Sequence, residues 1–206
     1  MKVLAFISQK GGSGKTTLAV HMAVCAILAK KTVLLIDLDP QGSAVDWYEA
    51  RTGDKNLAAV AATEKKLPQL LKKAKEGGAD LVIIDTAPHS NKTATKAAEL
   101  ADFVLIPCRP SRFDMKAIGS TLKIIDLTKA NAAVVMNVCA LGNLGHEARE
   151  SLKQEGFPVL DIMITQRVAF SHAVIDGRSV HEYEPKGKAT RDIEELFNFV
   201  KRELKL

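Results

Sequence analysis

Between residues 9 and 17 the chain runs Gln9-Lys10-Gly11-Gly12-Ser13-Gly14-Lys15-Thr16-Thr17, three glycines within four positions beside two lysines and two threonines. Glycine lacks the Cβ that hinders tight bends, so such a backbone can turn successive N–H groups onto one anion. A lysine directly after the last glycine reaches the β- and γ-phosphates of a nucleotide, and the hydroxyl of the next threonine is a hard oxygen ligand for Mg²⁺. Gly11, Gly12, Ser13, Gly14, Lys15, Thr16 and Thr17 therefore form a phosphate cradle. The general pattern G-x-x-x-x-G-K-[ST] is met except at its first glycine, where Gln9 stands, and Lys10 adds a second lysine ahead of the glycines. Carboxylates occur at two further places: Asp37-Leu38-Asp39-Pro40-Gln41-Gly42, and Asp85 closing the run Leu81-Val82-Ile83-Ile84.

Each of these groups follows a short apolar run. Val3 to Ile7 precedes the glycine loop, Thr32 to Ile36 precedes Asp37, and Leu81 to Ile84 precedes Asp85. Continuous apolar runs of this length are strands buried on both faces, as in a parallel sheet covered by helices. Carboxylates where such strands meet their loops lie at the carboxyl edge of the sheet, where Asp85 can hold a Mg²⁺ water beside Thr16. Helices are predicted over about 16–30, 44–51, 67–75, 92–100, 115–129 and 145–155, and from about 190 onward. Further strands are predicted at 57–62, 103–107, 132–138 and 159–164. The fold class is α/β: one doubly wound, mostly parallel sheet with helices on both faces, a single domain over residues 1–206.

Composition narrows the function classes. The chain has 206 residues, a net charge of +5 and a pI near 9.1, a weak pointer to an anionic partner. The apolar stretch from Leu18 to Leu28 is too short for a membrane span and contains His21. Met1-Lys2 leads straight into the first strand, so neither a signal peptide nor a helix-turn-helix segment is expected ahead of the loop. Cys25, Cys108 and Cys139 are widely spaced and read as reduced, buried thiols of a cytoplasmic protein. The five histidines are scattered without metal spacing. Lys65, Lys66, Lys72, Lys73 and Lys75 make one local basic excess, read as a solvated helix face.

The loop variant K-G-G-x-G-K-[ST]-T resembles the deviant phosphate loop of the ParA/MinD group of P-loop ATPases. That resemblance is order-preserving along nearly the whole chain. D-x-D-P-Q-G at Asp37 is similar to the first switch segment of ParA proteins, and Thr86-Ala87-Pro88 after Asp85 to the second. Ile106-Pro107 with Pro110-Ser111 and Asp114 resembles the I-P-x-x-P-S-x-x-D segment near the nucleotide and the dimer contact. Asn137 falls late in a strand, where the family places an asparagine that reads the adenine edge. The string Arg167, Ala169-Phe170, Gly177, Ser179-Val180 and Glu182 looks like the tail of short plasmid-partition ParA proteins, including those called ParF.

The resemblance implies ATP and Mg²⁺ as cofactors and a set of roles. Lys10 reaches across a dimer to the partner's nucleotide, Asp39 positions the attacking water, and Asp37 serves Mg²⁺ or structural support. Thr16 and Asp85 hold the metal, and Pro107 and Asn137 contact the nucleotide. It further implies a homodimer formed on ATP that binds DNA without sequence preference and associates with the nucleoid. Release would follow hydrolysis stimulated by a ParB-like or other cargo adaptor. Arg167, Arg178, Lys186, Lys188, Arg191, Lys201 and Arg202 are the candidates for DNA contact. Two alternatives stay open: a MinD-like membrane ATPase, in which the terminal helix would meet lipid, and a metabolic ATP-dependent ligase. Glu194, Glu195 and Glu203 on the terminal helix weigh against a membrane partner.

Overall fold

The computed structural model describes residues 1–52 and 55–206. The first apolar run forms β1 (Lys2–Phe6), and strand alternation sends its side chains into two separate cores. Leu4 and Phe6 enter one core, Val3 and Ala5 the other. Six more strands lie parallel to it: β2 (Val33–Asp37), β3 (Leu57–Ala61), β4 (Leu81–Asp85), β5 (Phe103–Cys108), β6 (Ala132–Cys139) and β7 (Val159–Thr165), in the order β3-β2-β4-β1-β5-β6-β7. All the pairings are parallel. The inner strands β1, β4 and β5 are buried along almost their whole length, whereas the edge strands β3 and β7 alternate with exposed positions.

Helices cover both faces. One face carries α1 (Lys15–Leu28), α2 (Ser43–Glu49), α7 (Val168–Ile175), α8 (Val180–Tyr183) and α9 (Lys188–Leu204). The other carries α3 (Leu67–Glu76), α4 (Asn91–Leu100), α5 (Arg112–Thr128) and α6 (Leu144–Gln154). In α1 the residues from Leu18 to Ala26 are all buried, because the helix sits between the sheet and α9. In α9 one stripe, Ile193, Leu196, Phe197, Val200 and Leu204, is buried at 7% exposure or less. That stripe is spent on packing against β7, β5 and α1.

The parallel doubly wound sheet expected from the apolar runs is the one observed. Two local readings differ. The helix predicted from Met115 starts at Arg112, because the Ser111 hydroxyl caps it by accepting from Asp114 N at 3.2 Å. The segment after β7, to which the sequence reading assigns no element, folds into α7 and α8, the latter opened by a capping box between Ser179 and Glu182.

Candidate active site

β1, β4 and β2 end side by side, with Phe6 opposite Asp85 and Asp85 opposite Asp37 in the strand register. The glycine loop therefore leaves the sheet beside the Asp85 carboxylate, with Asp37 one strand further out. It crosses through left-handed backbone at Gly12 (φ 73°) and Gly14 (φ 91°), and Gly14 is the N-cap of α1 with no side chain capping it. The first-turn N–H groups of a 14-residue helix are thus left to a ligand, at the positive end of its dipole. A Cβ on Gly14 would lie 2.2 Å from Asn137 Nδ2, so only glycine fits.

The side chains converge around this loop. Lys15 is buried and donates from Nζ to Lys10 O at 3.4 Å. Burial lowers its pKa, while Asp85 and Asp39 raise it. Thr16 Oγ1 donates to Asp85 Oδ2 at 2.5 Å, and the other carboxylate oxygen, Oδ1, is buried without a partner. Burial pushes the Asp85 pKa up to about 7, against the Thr16 bond and with help from the negative charge of Asp37. Asp37 is buried too. Its Oδ1 accepts from Asp39 N at 2.9 Å, and its Oδ2 from Ala44 N at 2.9 Å and Val45 N at 3.4 Å. It pins the loop and the start of α2, which favours the supporting role over a metal ligand. Asp39 is half-buried, accepts from Gln41 N at 3.0 Å, and acts electrostatically on both Lys15 and Asp85.

The donors fit Mg²⁺ held together with phosphate. No cluster of three or more metal-ligating side chains exists among the described residues, so the protein alone offers no cage. Mg²⁺ needs none, since it takes one or two protein oxygens and completes its shell with water and phosphate. The orphaned Asp85 Oδ1 beside Thr16 is the oxygen such an ion or its water would satisfy.

A cavity of about 310 Å³ opens from Gly14 and Thr17 and runs along Asn137, Val138, Thr165, Gln166, Arg167 and Phe170. It adjoins the phosphate loop and has the volume of a small-ligand pocket. Asn137 lines it, yet its amide donates to Ser13 O at 2.7 Å, tying β6 to the phosphate loop. One of its two N–H donors is therefore committed to the loop, and the second N–H and the carbonyl oxygen are what remain for a base. Val138, the next residue, has φ 55°, a strained conformation for a β-branched side chain, at an irregular point of the β6–β7 register. Pro107 does not line this cavity. It is buried in β5 beside Ser8, Lys10 and Cys108.

The far wall of the cavity comes from α7, and long-range contacts fix it. Trp47 Nε1 donates to Arg178 O at 3.0 Å, and Arg51 bonds Gly177 O at 2.7 Å and pairs with Glu182 at 2.8 Å. Phe170 rests on the buried His21 ring at 5.3 Å. Sequence reasoning also missed Arg109, whose guanidinium would be 3.6 Å from a Cβ on Gly12, over the mouth of the loop.

The two lysines part company. Lys15 turns into the loop, whereas Lys10 lines an outer groove of about 550 Å³ with Gln9, His89, Asn91, Lys123 and Leu127. Of the residues expected at DNA, Arg167 pairs with Asp192 at 3.3 Å and Arg178 with Asp176 at 2.8 Å. Lys186, Lys188, Arg191, Lys201 and Arg202 are exposed around α9.

Comparison with known proteins follows the same outline. The family model described as the CobQ/CobB/MinD/ParA nucleotide binding domain matches residues 4–180. Maintenance of carboxysome distribution protein A of Gloeobacter kilaueensis is 33% identical over 98% of this chain and 94% of its own length. Protein ParA of Rhizobium radiobacter is 28% identical over 90% of this chain and 88% of its own. The solved structure of Cyanothece apo McdA superposes with a TM-score of 0.81 at 19% identity, covering 99% of each chain.

Proposed function

The chain belongs to the CobQ/CobB/MinD/ParA nucleotide-binding family, and from that membership we propose a ParA-type positioning ATPase. In this reading it binds ATP with Mg²⁺, dimerises across the nucleotide edge, holds duplex DNA without sequence preference, and is released when an adaptor protein stimulates hydrolysis. The cargo belongs to the class of large assemblies or replicons distributed over a nucleoid. Relatives named for carboxysome distribution and for ParA keep plasmid partition as one member of that class.

The observation that carries the reading is the division between the lysines. Lys15 serves its own loop, while Lys10 stands in the outer groove, presented to whatever covers that groove. A second copy placed there would receive Lys10 at its own phosphates. Each residue then has a defined task. The loop N–H groups and Lys15 hold the phosphates, and the partner's Lys10 adds positive charge where the transferring group develops negative charge. Thr16 and Asp85 hold Mg²⁺, which when bound neutralises phosphoryl oxygens. Asp37 keeps the first switch segment on the site, and Asp39 orients the attacking water.

Substituting Lys10→Ala tests this. ATP affinity is expected to stay within about threefold, while ATP-dependent dimerisation and hydrolysis fall by about 100-fold or more, the magnitude of a lost transition-state charge contact. Hydrolysis at the wild-type rate by Lys10→Ala overturns the reading. The membrane alternative has less support, because the apolar stripe of α9 is buried in the domain and no helix among the described residues is long and apolar enough to cross a membrane.

A further inference from the structure

The positive charge of this chain is concentrated away from its C-terminal segment. Residues 64–76 and 91–99 hold seven lysines against three glutamates, an excess of four in a chain of net charge +5. From residue 165 to the end, eight lysines and arginines face seven carboxylates, nearly cancelling. There Arg167 and Arg178 are also paired, as described above.

The structure gathers the lysines of α3 and α4 onto one face. Both helices pack on the same side of the sheet, with Leu67 and Ala74 of α3 and Ala94, Ala97 and Ala98 of α4 turned inward. Lys65, Lys92 and Lys96 line a common groove of about 280 Å³ together with Glu64, Thr95 and Glu99. Lys72 pairs with Glu76 at 3.9 Å and Lys96 with Glu99 at 2.9 Å. Lys65, Lys66, Lys73, Lys75 and Lys92 are exposed, and among the described residues they have no carboxylate within 4.0 Å.

Lys73 and Lys75 stand in the last turn of α3, where the helix dipole favours cations, but local stability does not account for Lys65 and Lys66. Lys65 and Lys66 stand at the start of α3, where the helix dipole disfavours cations. Mutual repulsion along the face adds to that penalty. A lysine is a strongly hydrated point charge on a flexible stem, suited to phosphate oxygens, contacts that carry no sequence information. The face also adjoins the active site. Only residues 86–90 separate Asp85 from α4, and that loop is tied back by Thr86 Oγ1 to Phe6 O at 2.8 Å and by His89 N to Gln9 O at 3.2 Å.

We propose that the exposed lysines of the α3–α4 face form the surface that binds the phosphate backbone of duplex DNA, in preference to the basic residues around α9. This rests on the DNA-binding reading above and locates it. The test compares wild type with two variants, Lys65→Gln/Lys66→Gln/Lys92→Gln and Lys188→Gln/Arg191→Gln/Lys201→Gln/Arg202→Gln. Binding to random-sequence duplex with ATP is measured over a salt series, with thermal melting and ATP binding as checks on folding. The α3–α4 variant is expected to bind at least about tenfold more weakly, with its log–log salt slope reduced by about 2.7 for three lost phosphate contacts. The α9 variant is expected to stay within about threefold of wild type with an almost unchanged slope. Wild-type binding and slope in the α3–α4 variant, or abolished binding in the α9 variant alone, overturns the inference while leaving DNA binding intact. A wild-type protein that ignores DNA in every nucleotide state overturns the broader reading as well. Binding that instead follows these lysines onto anionic vesicles assigns the surface to lipid and overturns the commitment to DNA.

Discussion

Asp85 gives one oxygen to Thr16 and keeps the other buried and bare, an arrangement that resists ionisation until a cation arrives. Its carboxyl ionises near pH 7 in the folded protein and near pH 4 when unfolded, so the raised value favours folding below about pH 4 and that advantage is lost as pH rises through about 7. Without ligand, Asp85→Asn is therefore expected to stabilise the protein at pH 8 by on the order of 4 kcal/mol, and by much less at pH 5. Chemical denaturation at the two pH values checks this, and equal gains at both would contradict it. Asn137 makes a second case. With its amide on Ser13 O, Asn137→Asp is expected to weaken ATP, GTP and CTP in parallel by about tenfold, since a buried donor bond is lost beneath the phosphates. Competition binding with the three nucleotides reads this directly, and a loss confined to ATP would return Asn137 to base reading.

At the scale of elements, what was legible in the sequence was whatever is local. The glycine loop, Asp37, Asp39 and Asp85 could be read because each lies within a few residues of the strand that presents it. The cavity wall could not, because the turn that follows α7 is held by Trp47 and Arg51, residues more than 120 positions earlier, and no periodicity carries that information. Nor does any local signal say that β4 inserts between β1 and β2, which is what brings Asp85 beside Asp37. Gly177 marks the closest approach of these elements: a Cβ there would lie 2.6 Å from the Arg51 backbone nitrogen, and its φ is 72°. Gly177→Ala is expected to destabilise by about 2 kcal/mol or more and to weaken nucleotide binding by shifting α7, seen as a lower melting temperature and a higher dissociation constant. Val138→Gly, which relieves a left-handed β-branched residue, is expected to stabilise by about 1 kcal/mol. An unchanged or lowered melting temperature would contradict that.

For the whole molecule, nucleotide state and surface occupancy are the quantities to connect. If Asp39 orients the water, Asp39→Ala keeps the ATP form and lengthens its residence on DNA at least about tenfold, because hydrolysis no longer ends the bound state. Dissociation rates after a salt-matched competitor chase measure this, and release as fast as wild type removes Asp39 from the hydrolytic step. The apolar stripe of α9 makes the complementary statement: a helix already spent on the core leaves ATP-dependent flotation with anionic vesicles at background.

The tie between Asn137 and Ser13 also sets an order of events at the ribosome. The phosphate loop is made before the amide that fixes its carbonyl, which lies 124 residues later. β1 likewise has no hydrogen-bonded neighbour until β4 and then β5 have been made. At about 5–20 residues per second the nascent loop waits roughly 6–25 s for its partner. For that interval the growing chain carries its nucleotide signature without a nucleotide site, so ATP can stabilise the finished domain but cannot template its folding during synthesis.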